Sequence, residues 1–350
     1  MGLKTIKVAT LTASKRLGLL SAMGRSRWRT GRLLILGYHG ISQDDEHLWN
    51  PALYMTQDAL RRRLELLQRN ECTVLSLGDA VSRLRANDLP PRAVAITFDD
   101  GYYDFLARAY PVVREFGVPV TVYQTSYYCG SSRPIFDVAC AYLLWKGAGR
   151  RIEGLPFTGT PGVLDLSTSE RRAAVCFRIR QEAHRSGLSA EEKDLLLDRL
   201  GSALSVDTAP MRRQRLLQVM TPAELRDIVK SGVDVQLHTH RHRTPRNRDL
   251  FVREIVDNRN FLASVGQPSP EHFCYPSGDY DEAFLPWLAE LGVQSATTCE
   301  PGLATRNTRT LLLPRLVDSS ALSDVEFEGW LHGLSHVLPK RATRHAIPVG

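Results

Sequence analysis

A chain of 350 residues, 43% hydrophobic and 24% charged, can bury a full core, and this composition excludes a fibrous or largely disordered protein. The net charge of +7 sits at one end: residues 1–32 carry eight basic side chains (Lys4, Lys7, Lys15, Arg16, Arg25, Arg27, Arg29, Arg32) and no Asp or Glu. The rest of the chain is near balance and offers no nucleic-acid surface.

The first element is therefore a basic arm over residues 1–32, and two readings stay open for it. One is a solvated, partly disordered segment. The other is a basic amphipathic helix on an anionic membrane face. As a signal peptide the arm is poor, because its apolar stretch over 17–23 is short and interrupted. No run approaches the ~20 apolar residues of a membrane span. An organellar transit peptide also fits the composition. The six cysteines show no CxxC pairing and read as reduced thiols. Together these point to a cytoplasmic setting, with the helix reading adding peripheral contact at the inner membrane face.

From Leu33 onward, strand and helix signals alternate. Residues 33–37 (LLILG) form a short apolar run, a buried strand ending at Tyr38-His39-Gly40. Thr56 caps a helix with Leu60, Leu64 and Leu67 at helical spacing. A strand at 73–75, a helix at 79–85 and a break at Pro90-Pro91 follow. The β-prone run 93–98 (AVAITF) stops at Asp99-Asp100-Gly101. A helix through 110–116 ends at Gly117, and 118–123 is the next strand.

Residues 128–215 break this rhythm. They are rich in Arg and Leu, with helical pieces near 137–146, 169–186 and 190–204 and a Gly/Pro/Thr loop over 154–162, and they read as a helical insertion. Alternation resumes at 220–224 (MTPAE), where Thr221 is an N-cap, Pro222 the first helical residue and Glu224 the closing partner of a capping box. A strand over 233–237 runs into His238. Helix 249–264, strand 272–275, helix 281–291, strand 293–297 and an apolar run 311–313 before Pro314-Arg315 complete the series. A βα unit repeated about seven times argues for a parallel sheet, closed as a barrel rather than open. No GxGxxG follows an early strand, against a dinucleotide site.

Polar residues just past barrel strands face the active-site rim, and four expected strand ends hold such residues: His39, Asp99-Asp100, the histidines over 238–242, and Tyr275-Pro276. Gly101 allows a sharp turn through which both carboxylates reach one site, one for a metal and one for a proton. His238 and His242 come to the same side if the loop curves. Imidazole and carboxylate suit Zn²⁺ and similar divalent ions, which gives Asp100, His238 and His242 as a His₂Asp set. Ligand types alone leave Zn²⁺, Co²⁺, Ni²⁺ and Mn²⁺ open.

Several stretches resemble the polysaccharide deacetylases, carbohydrate esterase family 4. Residues 97–102 (TFDDGY) are similar to that family's TFDDG motif, and His238-Thr239-His240-Arg241-His242 to its H-[S/T]-x-x-H metal motif. Residues 273–278 (FCYPSG) resemble an F-x-Y-P-x-G element, and Leu36-Gly37-Tyr38-His39 an early L-x-Y-H element. The resemblance implies a distorted (β/α)7 barrel over 33–338 carrying the insertion at about 128–215, with a basic tail over 339–350. It implies metal-dependent removal of N-acetyl from an amino sugar. On it, Asp100, His238 and His242 hold the metal, Asp99 is the general base and His39 the general acid. The backbone N–H of Ser277 serves the oxyanion, and Tyr102 and Tyr275 join the substrate side. His240 is an x position and is expected to point away from the ion. Cys274 stands where the family often has an arginine that orients the base, and Arg315 is the candidate replacement. The late stretch Leu334-Ser335-His336 is a poor copy of the family's alternative acid motif.

Three other readings compete. A glycosidase would use Asp99 and Asp100 as its carboxylate pair, but such pairs stand ~5–9.5 Å apart, and the histidines would go unexplained. A catalytically inactive carbohydrate-binding protein of the same fold and a deformylase on an N-formyl sugar complete the set. The carbohydrate partner is common to all. Oligomeric state is not legible.

Overall fold

The computed structural model describes residues 3–153 and 162–338. The expected 154–162 loop, apart from Gly162, and the 339–350 tail lie outside the described residues. The chain divides into two compact units. One runs to Gly130 and resumes at Met220; the other spans Ser131–Val219.

In chain order the strands are β1 (Leu34–Tyr38), β2 (Gly40–Ile41), β3 (Tyr54–Met55), β4 (Thr73–Leu75), β5 (Ala93–Phe98) and β6 (Thr121–Gln124), then β7 (Arg151–Glu153) and β8 (Val163–Asp165) in the second unit. The first unit resumes with β9 (Asp234–Leu237), β10 (His272–Cys274), β11 (Ser295–Thr297) and β12 (Leu316–Val317). Among the described residues, a row of parallel strands runs β11-β10-β9-β6-β5-β1-β12, with β4 added beside β5. Leu313, just ahead of β12, bridges Thr297 of β11 and draws the two ends of the row together. Helices such as Gln57–Arg69, Pro222–Lys230 and Arg248–Ser264 connect consecutive strands. The result is the expected distorted seven-stranded barrel, with β1, β5, β6 and β9 to β12 as its staves.

Strand pleating decides which residues reach the inside. Leu33, just ahead of β1, and Ile35 on it share one buried cluster with Ala93 and Ala95 on β5, Tyr123, Cys274 and Leu313. The Leu77–Ala86 helix adds Leu77, Ala80, Val81 and Leu84 to it. Along this inner row β1 continues to Gly37 and His39, and β5 to Thr97 and Asp99. Ile35 pairs with Ala95 and Gly37 with Thr97, so the same register carries His39 and Asp99 to the rim side by side.

Two expectations are corrected. Arg315 does not follow a strand: 310–312 forms a 3₁₀ turn, and Arg315 immediately precedes β12. The basic arm is also not a solvated, disordered segment over its described length. It forms helices Leu3–Arg16, Leu19–Gly24 and Arg27–Thr30, and Leu11, Leu20 and Arg29 are buried. Its lysines find partners on the body: Lys15 pairs with Glu328, Lys4 donates to the Ala321 carbonyl, and Lys7 stands over the Trp330 ring.

In the second unit, helices Phe136–Lys146, Ser169–Arg185 and Ala190–Ala203 fall where the periodicity placed them. Leu143, Leu144, Val175, Ile179, Leu196 and Leu200 are buried there. The antiparallel β7–β8 hairpin was not foreseen, because Ile152 and Leu164 are its buried residues and three-residue strands carry almost no alternation.

Candidate functional site

Asp99 leaves β5 with its N–H donating to the Tyr38 carbonyl and its own carbonyl accepting from Gly101 N–H. Asp100 then turns through a left-handed φ of 67°, followed by Gly101 at 72°. A side chain at Gly101 would be strained at this φ and would have to displace the buried Gln124 amide, whose Oε1 would lie 1.8 Å from its Cβ. The turn undoes the pleat, and two adjacent carboxylates face neighbouring parts of one site.

Asp99 sits in the fork of Arg315: Nη1 donates to Oδ1 at 2.7 Å and Nη2 to Oδ2 at 2.6 Å. Arg315 is wholly buried, its Nε donating to the Thr298 carbonyl and its Nη1 also to Thr97 Oγ1. Gly37 makes the space, since a Cβ there would approach the guanidinium carbon to 3.2 Å. Such a bidentate pair fixes both position and charge. Burial alone would push the Asp99 carboxyl up, but Arg315 and His39 hold it below the usual carboxylate range. Asp99 likewise keeps Arg315 well above its ordinary value against burial. His39 Nε2 lies 3.4 Å from Asp99 Oδ2. Burial pushes His39 below its ordinary value, against the pull of Asp99.

Asp100 meets the histidines. Its Oδ1 is 3.0 Å from His238 Nε2 and 3.0 Å from His242 Nε2. Thr239 and His242 both adopt left-handed φ, 61° and 54°, so the loop coils and brings i and i+4 together. Strain of this kind collects at functional sites. His240 turns elsewhere, its Nδ1 2.9 Å from Ser126 Oγ and its ring edge-on to Tyr127.

The tautomer of His238 is set by its surroundings. Nδ1 lies 2.9 Å from the Cys274 carbonyl, an acceptor only, so Nδ1 carries the proton. In the neutral ring Nε2 then presents a lone pair toward an Asp100 oxygen, an arrangement a cation between them satisfies. This carbonyl–imidazole–metal pattern is a common ligand setting. Ligand atoms of Asp100, His238 and His242 all lie within 4.8 Å of one another. Asp99, His238 and Cys274 form a second such group, but Arg315 already occupies it as a cation, with Nη2 3.1 Å from Cys274 Sγ. Burial pushes the Cys274 thiol well up, so it stays protonated. The first trio is the one that fits a divalent ion.

The remaining candidates divide. Ser277 is exposed, with φ 57°, and its N–H has no hydrogen-bond partner among the described residues, so it is available to a substrate oxygen. The Tyr275 hydroxyl is committed to the Leu311 carbonyl at 2.9 Å, and Tyr102 is buried and hydrogen-bonded to Tyr54. Both build the wall and offer no free hydroxyl. His336 accepts from Leu303 N–H and packs near Trp28.

Sequence reasoning missed two supports. Glu254, buried on the Arg248–Ser264 helix, accepts from Arg241 N–H and binds the side chains of Arg241 and Arg243. Asn258, one turn on, accepts from His238 N–H and donates to the Gln124 carbonyl and Ser126 Oγ. A helical i, i+4 polar pair on an otherwise buried face was the available signal.

A family model described as "Polysaccharide deacetylase" matches residues 86–139 and 154–296. The putative polysaccharide deacetylase YxkH of Bacillus subtilis (strain 168) is 20% identical over 312 residues, 87% of this chain and 78% of that protein. The poly-beta-1,6-N-acetyl-D-glucosamine N-deacetylase of Escherichia coli (strain K12) is 27% identical over 100 residues, 28% of this chain and 15% of that protein. Among solved structures, the fold resembles the Streptococcus pyogenes deacetylase PplD in complex with acetate (TM-score 0.56, 18% identity, 88% of this chain and 99% of that one). It also resembles IcaB from Ammonifex degensii (TM-score 0.52, 14% identity, 87% and 98%).

Proposed function

Because the chain belongs to the polysaccharide deacetylase family, we propose that it hydrolyses the N-acetyl amide of an amino sugar within a poly- or oligosaccharide, with a divalent ion held by Asp100, His238 and His242. The carrying observation is the pairing of two differently furnished carboxylates. Asp100 Oδ1 stands 3.0 Å from two imidazole nitrogens, and Asp99 lies in the fork of Arg315.

When bound, a divalent ion at this trio supplies Lewis acidity toward an amide carbonyl and toward water. Zn²⁺ suits the donor set best, and Co²⁺, Ni²⁺ and Mn²⁺ are alternatives. Asp99, held ionised and oriented by Arg315, takes the proton of the attacking water. The Ser277 N–H donates to the oxygen on which negative charge develops. His39 delivers a proton to the departing sugar amine. Its Nε2 is 3.4 Å from Asp99 Oδ2, so the proton that Asp99 collects has a short route to the group that spends it. A retaining or inverting glycosidase finds no support here: Arg315 occupies both oxygens of Asp99, and neither carboxyl is a free acid.

Acetate and free-amine release from N-acetylglucosamine oligomers of both β-1,4 and β-1,6 linkage tests the reading. Release that stops with a chelator and returns with Zn²⁺ supports it. Absence of acetate release with every candidate ion sinks it, and formate release from N-formyl sugars alone would move the activity to deformylation.

A further inference from the structure

The Leu3–Arg16 helix has two apolar faces. The inward face buries Leu11 and Ser14 and turns Lys7 and Lys15 toward Trp330 and Glu328. The outward face carries Ile6, Ala9, Ala13 and Leu17, spaced i, i+3, i+7 and i+11, all exposed; Ile6 is 51% and Leu17 74% accessible. Across the turn at Gly18 the stripe continues with Leu19, 55% accessible, then Ala22 and Arg25 at intervals of three along the Leu19–Gly24 helix.

The charges around this stripe are of one sign. Arg16, Arg25 and Arg27 are exposed and have no ion-pair partner among the described residues, in contrast to the three lysines that dock inward. Residues 1–32 contain no acidic side chain.

We propose that this face docks on an anionic lipid surface, with Ile6, Leu17 and Leu19 entering the headgroup–acyl boundary and Arg16, Arg25 and Arg27 meeting lipid phosphates. Arginine suits the second task because its planar fork binds phosphate bidentately. A second copy of the chain is the poorer occupant, since a two-fold contact would set the arginine cluster against its own copy. Among the described residues no helix is long and apolar enough to cross a membrane. Arg29, in the same helical segment, donates to the Ala93 carbonyl at the start of β5, the strand end opposite Asp99. Substitutions on the outward stripe therefore leave the rim untouched.

Co-sedimentation of the full chain with vesicles tests this without any turnover. Vesicles of equal parts phosphatidylglycerol and phosphatidylethanolamine should retain the protein at low salt, and phosphatidylcholine vesicles should not. Leu17→Ser with Leu19→Ser, and separately Arg16→Gln with Arg25→Gln and Arg27→Gln, should each cut the bound fraction about tenfold. Acetate release from a soluble oligomer should be unchanged in both. No retention on phosphatidylglycerol vesicles overturns the proposal, as does retention that both variants preserve. Self-association in light scattering that Leu17→Ser with Leu19→Ser abolishes, without lipid binding, would assign the face to a second copy and also overturn it.

Discussion

Among the described residues two arginines are completely buried, one at each end of the barrel, and they solve the cost of burial differently. Arg315, at the rim, faces a carboxylate that matches its fork, and Asp99 holds its charge well above the ordinary range. Arg29, at the base, has no carboxylate partner among the described residues and donates to the carbonyls of Leu331, Arg32 and Ala93. Burial pulls its pKa down to about 10. Dipoles stitch the N-terminal helices to the barrel without needing a counter-charge. A charge pair at the rim does more: it keeps a buried carboxylate ionised and pointed. Isolation of a guanidinium from water is thus no sign of catalysis; its partner is.

Arg315→Met should give the largest effect in this comparison. It leaves Asp99 buried with His39 and the Cys274 thiol but no guanidinium beside it, and loss of one partner of a buried pair costs about 3–5 kcal/mol. Where the variant still folds, kcat should fall by about 10–100-fold with metal content retained, as for other groups that orient a reacting residue. Melting curves and metal-normalised acetate release read the two effects separately. Arg29→Met should cost less, about 1–3 kcal/mol, through three carbonyls left without a donor, with kcat per folded molecule unchanged. A kcat loss there equal to that of Arg315→Met would erase the distinction.

The smallest effect is a pH dependence at the base. His332 is buried, with Nε2 2.7 Å from Asn70 Oδ1, and burial pulls its pKa from 6.5 to about 4. The folded value lies below the unfolded one, so the unfolded chain takes up the proton first. The contribution is intact above about pH 6.5 and is lost as pH falls from 6.5 toward 4. Partial solvent screening reduces it to about 1–2 kcal/mol. His332→Gln keeps an amide donor for Asn70 and should flatten this part of the denaturation midpoint between pH 6.5 and 4.5; an unchanged slope would contradict it.

Local signals made most of the barrel legible. The Thr221–Glu224 capping box closes as the sequence predicts, and the AVAITF run lies on the strand that carries Asp99 to the rim. The His39–Asp99 neighbourhood follows from strand register, which a single sequence does not encode. Arg315 was identifiable as a candidate but misplaced, because the apolar 311–313 run imitates a strand and the two residues of β12 carry no period. Asn258 and Glu254 escaped notice because they act on the histidine loop from a helix many residues downstream. Of the two readings of the basic arm, the disordered one fails for a related reason: its lysines are satisfied by Glu328, Trp330 and the Ala321 carbonyl, partners at the far end of the chain.

The division of labour proposed for the adjacent carboxylates Asp99 and Asp100 can be separated by one pair of variants. Asp99→Asn and Asp100→Asn are purified, loaded with Zn²⁺, and assayed for bound metal and for acetate release from an N-acetylglucosamine oligomer. Asp99→Asn should bind as much metal as the wild type while losing about 10²–10⁴ in rate, and Asp100→Asn should lose metal and activity together. Metal lost from Asp99→Asn but kept by Asp100→Asn, or acetate release undiminished in Asp99→Asn, would contradict the assignment.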